Sequence, residues 1–107
     1  TFTNQLEKAR EATDLANLRG AYAQVMAAAL TNAESDTNIK LVRDGNDGAA
    51  SWTINVDATQ TVAGWQTKDV KVAGIEMTDA NCATKTSKGW TVKYSEVTGK
   101  ATIELVQ

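Results

Sequence analysis

The longest regular pattern in the chain lies near its N-terminus. Between Asn4 and Leu30 the sequence has no proline and one glycine, Gly20, and residues of high helix propensity dominate. In the second half of this stretch apolar residues recur at spacings of three and four, at Leu15, Leu18, Tyr22, Val25 and Ala29. The pattern predicts one helix over residues 3–31, with its second half buried against a domain.

The first half of this predicted helix has a different character. Its apolar residues, Leu6, Ala9 and Ala16, form only a thin stripe, and charged residues stand between them. Three of these, Glu7, Glu11 and Asp14, share roughly one helix face. Because Lys8 and Arg10 lie beside them and can form pairs at helical spacing, we expect these carboxylates to form a charged surface that faces solvent or another subunit.

Downstream of the helix the pattern changes to period two. Asn32 tolerates a left-handed conformation and can end the helix. Alternating apolar residues then predict antiparallel strands, and Gly99 suits the turn of a C-terminal hairpin. The predicted strands cover residues 39–43, 51–57, 70–77, 89–95 and 100–106, with residues 58–68 as a connection.

This order of elements predicts the fold class. A helix followed by consecutive strands, without alternating βαβ units, is typical of an α+β domain. We therefore expect one domain over residues 1–107, in which the long N-terminal helix packs on an antiparallel sheet of about four strands contained in residues 39–107. A chain of 107 residues is long enough for one hydrophobic core.

The composition argues against an enzyme. The chain contains no histidine, which removes the commonest general base and the commonest metal ligand. Cys82 is the single cysteine, so no disulfide can form within the chain, and we assign Cys82 no role. No phosphate-binding loop, nucleophile motif or metal-spaced cluster is present. We expect no catalytic residue, cofactor or metal ion.

Two features nevertheless suggest possible ligand binding. The turn at residues 44–48 has oxygen-bearing side chains suited to calcium, but Gly48 and Asn55 stand where an EF-hand loop needs ligands, which favours a plain turn. Among the tryptophans, Trp52 and Trp90 follow the apolar alternation of strands, whereas Trp65 lies in the connection. Trp65 could anchor in the core or, in a secreted glycan-binding module, stack on a sugar.

The net charge of −2, without clustered lysine or arginine, gives no basis for direct binding of nucleic acid. A nearly neutral surface fits contacts between proteins better. The chain begins at Thr1 without a methionine, which indicates either a processed chain or an engineered fragment, and we expect that a preceding segment has been removed.

The N-terminal stretch TFTNQLEKAREATDLANLRGAYA (residues 1–23) resembles the region just after the membrane segment of type IV pilins, especially those of Gram-positive bacteria. The segments KGWTVKY (88–94) and TGK (98–100) are similar to the last hairpin of many pilin heads. The chain lacks the cysteine pair that closes a C-terminal loop in Gram-negative pilins, which implies a head held together by packing alone.

This resemblance implies a structural subunit of a surface pilus serving adhesion, motility or aggregation. The implied partners are other copies of the chain, minor pilins and, through a missing N-terminal hydrophobic helix, the membrane. Within the same family, a pseudopilin of a type II secretion or DNA-uptake apparatus is the alternative. On the pilin hypothesis, the residues expected to contact neighbouring subunits are Phe2, Leu6, Ala9, Arg10, Thr13 and Ala16.

Overall fold

The structure is a computed structural model that describes residues 2–35, 38–44, 49–60, 65, 70–78, 82–83 and 87–106, without the side chains of residues 2–4 and 44. It confirms the predicted α+β architecture: one N-terminal helix packs on a four-stranded antiparallel sheet. The elements are α1 (Phe2–Thr31), β1 (Ile39–Asp44), β2 (Ala49–Asp57), β3 (Lys71–Val72), β4 (Ile75–Glu76), β5 (Gly89–Ser95) and β6 (Lys100–Val106).

The main sheet has the strand order β1-β2-β5-β6, and every neighbouring pair is antiparallel. Residues that lie opposite one another point to the same face of a sheet. One such row is buried and consists of Ile39, Ile54, Val92 and Ile103. The next row along the strands faces outward and consists of Lys40, Thr53, Lys93 and Thr102. The alternation in the sequence therefore sets the register of all four strands.

The helix α1 covers the apolar face of this sheet. Leu18 and Val25 are completely buried in the shared core. The chain leaves the helix at Asn32, whose φ of 51° is the left-handed conformation expected there. Just beyond this residue the Trp52 indole donates a hydrogen bond to the Ala33 carbonyl oxygen at 3.0 Å, which ties the helix C-terminus to β2.

The prediction of one continuous strand over residues 70–77 is wrong. The segment contains a small hairpin of two two-residue strands, β3 and β4, that forms a separate sheet. The chain reverses at Ala73 and Gly74, both with positive φ (51° and 83°), a geometry typical of a tight hairpin turn. Alanine rarely takes such a conformation, so the sequence pattern concealed the turn, while the buried residues Val70, Val72 and Met77 suggested one continuous strand.

The backbones of β2 and β5 are in close contact where β5 begins. Gly89 lies opposite Asp57 with a φ of 150°, a region that side chains rarely allow. A Cβ atom added at Gly89 would overlap the carbonyl oxygen of Val56, which belongs to the backbone and cannot rotate away. The pairing of the two strands at this end therefore requires glycine.

We predict that Gly89→Ala destabilises the domain by about 3 kcal/mol, because it adds a backbone clash to an unfavourable φ. The matched control is Gly99→Ala in the β5–β6 turn, where φ is 66° but the space around a Cβ is open. It should cost only about 1 kcal/mol. Urea unfolding of both variants measures the difference, and equal midpoints would contradict the steric argument.

Candidate functional site

The helix α1 presents two very different faces. The face toward the rest of the chain includes the three carboxylates of its first half: Glu7, Glu11 and Asp14 are only 2%, 1% and 0% exposed. The prediction that they face solvent or another subunit is therefore wrong. The first half of the helix, like the second, is covered by its own domain along this face.

Asp14 shows how this burial is achieved. Its carboxylate accepts hydrogen bonds from the Thr59 backbone N–H (2.9 and 3.1 Å to the two oxygens) and from the Gln60 backbone N–H (3.0 Å). The Thr59 hydroxyl donates a further bond to Oδ1 at 2.8 Å. Buried carboxylates are tolerated where several donors replace water in this way. The segment that leaves β2 is thereby fixed against the helix.

Arg10 and Arg19 lie along the border of this buried face. The Arg10 guanidinium forms an ion pair with Glu7 at 3.2 Å and is itself about one-third exposed, at 36%. Arg19 donates to the backbone carbonyl of Lys71 at 3.1 Å, which attaches the β3–β4 hairpin to the helix. Both arginines thus hold parts of the same chain, and neither points straight away from the domain.

The opposite face of α1 carries the candidate site. Along it runs a row of exposed, uncharged and mostly small residues whose spacing alternates between three and four, which we call the exposed stripe. It repeats every seven residues and extends over almost the whole helix, a length of roughly 36 Å at 1.5 Å per residue. The stripe consists of Leu6, Ala9, Thr13, Ala16, Gly20, Ala23, Ala27 and Leu30.

The six residues predicted to contact neighbouring subunits are distributed unevenly over this surface. Four of them, Leu6, Ala9, Thr13 and Ala16, lie on the exposed stripe. Arg10 lies beside it in the ion pair with Glu7. Phe2 belongs to α1, but its side chain lies outside the described residues. The structure thus brings four of the six onto one line, and their contact with subunits stays a prediction.

The apolar pattern of the sequence did not reveal the second half of the stripe, from Gly20 to Leu30. The larger apolar residues mark the buried face, and they predicted that the whole second half of the helix is buried in the domain. The available signal was the 3-4 spacing of small residues, which continues through Ala23 and Ala27 without interruption. Leu30, 88% exposed, is the clearest sign that this face has no cover within the described chain.

The other candidate residues are accounted for by packing or lie outside the description. Trp65 is half-buried against the core, and its indole donates to the Thr78 carbonyl oxygen at 2.9 Å. The Cys82 thiol is buried, with Sγ 3.6 Å from the Gln60 side-chain oxygen. The turn considered for calcium lies outside the described residues apart from the backbone of Asp44. Among the residues that are described, no cluster of acidic or cysteine side chains could hold a metal ion.

No helix in the described part of the chain is both long and apolar enough to cross a membrane. Comparison with models of protein families, with curated proteins and with solved structures finds no match for this chain. The function is therefore inferred from the geometry of α1 and from the residues on its two faces.

We predict that Asp14→Ala destabilises the domain by about 3 kcal/mol, because it leaves the partly buried N–H group of Thr59 and the buried N–H group of Gln60 without an acceptor. The matched control is Glu34→Ala, which removes an exposed carboxylate just beyond the helix and should change stability by less than about 0.5 kcal/mol. Urea unfolding gives the free energies. Hydrogen exchange at the Thr59 and Gln60 amides should accelerate in the Asp14 variant alone, and unchanged exchange would contradict the assignment.

Proposed function

We propose that this chain is a structural subunit of a surface filament of the type IV pilus kind, and that subunits pack through the exposed stripe of α1. The observation that carries the proposal is the stripe itself. A helix of 30 residues buries one face in its domain and leaves on the other a continuous row of uncharged and mostly small residues. A solvated helix face is ordinarily rich in charged residues.

The spacing of the stripe is the spacing of helix–helix contact. Residues alternating at three and four average 3.5 per turn, the period at which two helices stay in contact by winding gently around each other. Small residues along such a line allow the helix backbones to come close. The stripe thus has both the period and the side-chain size that parallel packing of many identical helices requires.

Gly20 independently supports packing of α1 against a neighbouring helix. A glycine in the middle of a helix costs roughly 0.5–1 kcal/mol relative to alanine. Its φ is not positive, and a Cβ added there meets no atom within 4 Å. The described residues around Gly20 leave room for a side chain, so they do not explain why glycine is needed there. Close approach of a neighbouring helix would explain it.

The sequence resemblance supports the same proposal. It implies a helix that continues outward from a compact head and packs with copies of itself. Contacts between different surface patches of identical subunits, repeated from one copy to the next, build open helical filaments. The proposed partners are therefore further copies of the chain and minor pilins, with the membrane reached through a preceding hydrophobic segment. Adhesion, motility or aggregation at the cell surface is the function proposed for the filament. The environment of Trp65, packed and hydrogen-bonded, gives no support to a glycan site at that residue.

The test is a charge placed on the stripe. We predict that Ala16→Glu, made in the producing bacterium, abolishes the filaments, because it would bury an unpaired carboxylate between helices. The matched control is Asn17→Glu, at an exposed neighbour that lies about 100° around the helix, and it should leave assembly intact. Electron microscopy and the amount of the protein in sheared surface material provide the measurement.

The same variants separate assembly from folding. Because Ala16 is exposed, the 107-residue domain carrying Ala16→Glu should unfold at the same urea concentration as the unmodified domain. Normal filaments from the Ala16 variant would overturn the proposal. Abundant filaments from the unmodified protein favour a major pilin, whereas a protein found only in traces at the surface favours the pseudopilin alternative.

Gly20→Ala provides a second test with effects of opposite sign. We predict that it stabilises the isolated domain by roughly 0.5–1 kcal/mol, because it improves helix propensity without a clash. In the filament it should weaken assembly by separating the helices. Thermal unfolding and filament yield measure the two effects, and a stabilised domain that assembles as well as the unmodified protein would argue against close packing at Gly20.

A further inference from the structure

The face of the main sheet that points away from α1 carries lysines at one end. Because residues opposite one another on antiparallel strands share a face, the register sorts its side chains into rows across the sheet. Lys40 and Lys93 lie in one row with Thr53 and Thr102, and Lys100 lies in the next row toward the β5–β6 turn. All three lysines are exposed, and neither row contains a carboxylate.

The next two rows of the same face, toward the other end of the strands, carry the opposite charge. Glu104 lies in the first of them and Asp57 in the second, opposite Gly89. Both carboxylates are exposed. In the part of the chain that the structure describes, no ion pair joins the charges of this face to one another. We call these four rows the outer sheet face.

The segregation of charge determines which partner fits the outer sheet face. A polyanion attracted by the lysines would meet the carboxylates one row further along, and a polycation would meet the lysines. A partner that matches both ends needs the same two charges in reversed order. A second copy turned end to end by a two-fold axis presents that order, because the axis places the basic rows of each copy on the acidic rows of the other. Complementary charges of this kind select and orient a partner.

We propose that the outer sheet faces of two copies bind each other weakly in this antiparallel arrangement. A two-fold axis that runs across the strands places each strand opposite its own counterpart and the row of Lys93 opposite the row of Glu104. Lys93 in β5 then lies one strand, about 5 Å, to the side of Glu104 in the other copy, within reach of its side chain. Lys40 approaches Asp57 of the other copy in the same way, and symmetry makes each contact twice.

The outer sheet face is too small to hold two free domains together firmly. Four strands about 4.8 Å apart and four rows about 7 Å apart give it roughly 500 Å² per copy. A standard stable interface buries about 800 Å² per partner and has an apolar centre, whereas the two central rows of this face are polar. We therefore expect a dissociation constant of about 1 mM for the isolated chain at low salt.

Repetition strengthens a weak contact, and this step rests on the proposed function. β2 runs roughly along α1, because Trp52 near its start bonds Ala33 after the helix and Thr59 beyond its end bonds Asp14. Subunits packed through the exposed stripe would turn the outer sheet face away from the filament core. Two filaments running in opposite directions, such as those of two facing cells, would then join many copies of the face and gain avidity. This surface therefore suits aggregation.

The test is a nuclear magnetic resonance dilution series of the ¹⁵N-labelled 107-residue chain carrying Ala16→Glu, which suppresses contacts through the exposed stripe. At about 10 mM salt, where the Debye length is about 30 Å, we expect concentration-dependent shifts at the amides of Lys40, Lys93 and Glu104. These shifts should vanish in about 1 M salt, where the Debye length is about 3 Å.

Charge reversals identify the contacts. Lys93→Glu and Glu104→Lys should each weaken the association about fivefold, because the two-fold axis turns two attractive contacts into repulsive ones. Labelled Lys93→Glu titrated with unlabelled Glu104→Lys should recover the affinity of the starting chain, since each reversed charge then meets an opposite one. The matched controls Lys8→Glu and Glu34→Lys make the same charge changes at exposed residues outside the outer sheet face and should associate like the starting chain.

Three results would overturn the proposal. They are the absence of concentration-dependent shifts on the outer sheet face at low salt, a mixture of the two reversed variants that associates no better than either alone, and controls that lose association as Lys93→Glu does. Lys93 and Glu104 are exposed, so both variants should keep the amide spectrum of the folded domain. Filament assembly is not measured, so failure of this experiment leaves the pilus proposal standing.

Discussion

The buried carboxylate of Asp14 fixes the path of the chain after β2, and through it the division of α1 into a covered and an uncovered face. The strands of the main sheet reach only part of a helix 30 residues long. Beyond the sheet, the segment at Thr59 and Gln60 returns to the helix, and its backbone N–H groups are held by Asp14. Without this acceptor the first half of the helix would lose its hydrogen bonds to the Thr59 and Gln60 backbone and would be held less firmly against the head.

The sequence was informative wherever structure depends on local periodicity. The alternation through Trp52, Ile54 and Val56 fixed one face of β2, and the position of Asn32 marked the helix end. It was uninformative where burial depends on distant partners. Asp14 meets donors some 45 residues away along the chain, and a carboxylate with charged neighbours at helical spacing gives the same pattern whether it is solvated or buried. Only the folded chain distinguishes the two cases.

The exposed stripe was also hard to predict from the sequence, because hydrophobic patterns identify buried faces of a helix and not exposed ones. Large apolar residues such as Leu18 and Val25 identify what a helix buries within its own domain. Small residues such as Ala23 and Ala27 contribute little to hydrophobicity, so that their face appeared unremarkable in sequence until the other face had been assigned. The stripe favours packing between subunits because its residues are uncharged and mostly small along almost the whole helix.

Gly89 also restricts how β5 can align along β2. Only a residue without a side chain fits beside the Val56 carbonyl, and the chain neighbours of Gly89 are Lys88 and Trp90. If β5 slipped by one position along β2, a lysine or a tryptophan would take that place, and the apolar face of β5 would turn to solvent. A slip of one residue in either direction is therefore sterically unfavourable. Gly89 thus helps to select the native alignment of β2 and β5, because a pairing displaced by one residue would both clash at Val56 and expose the apolar face of β5.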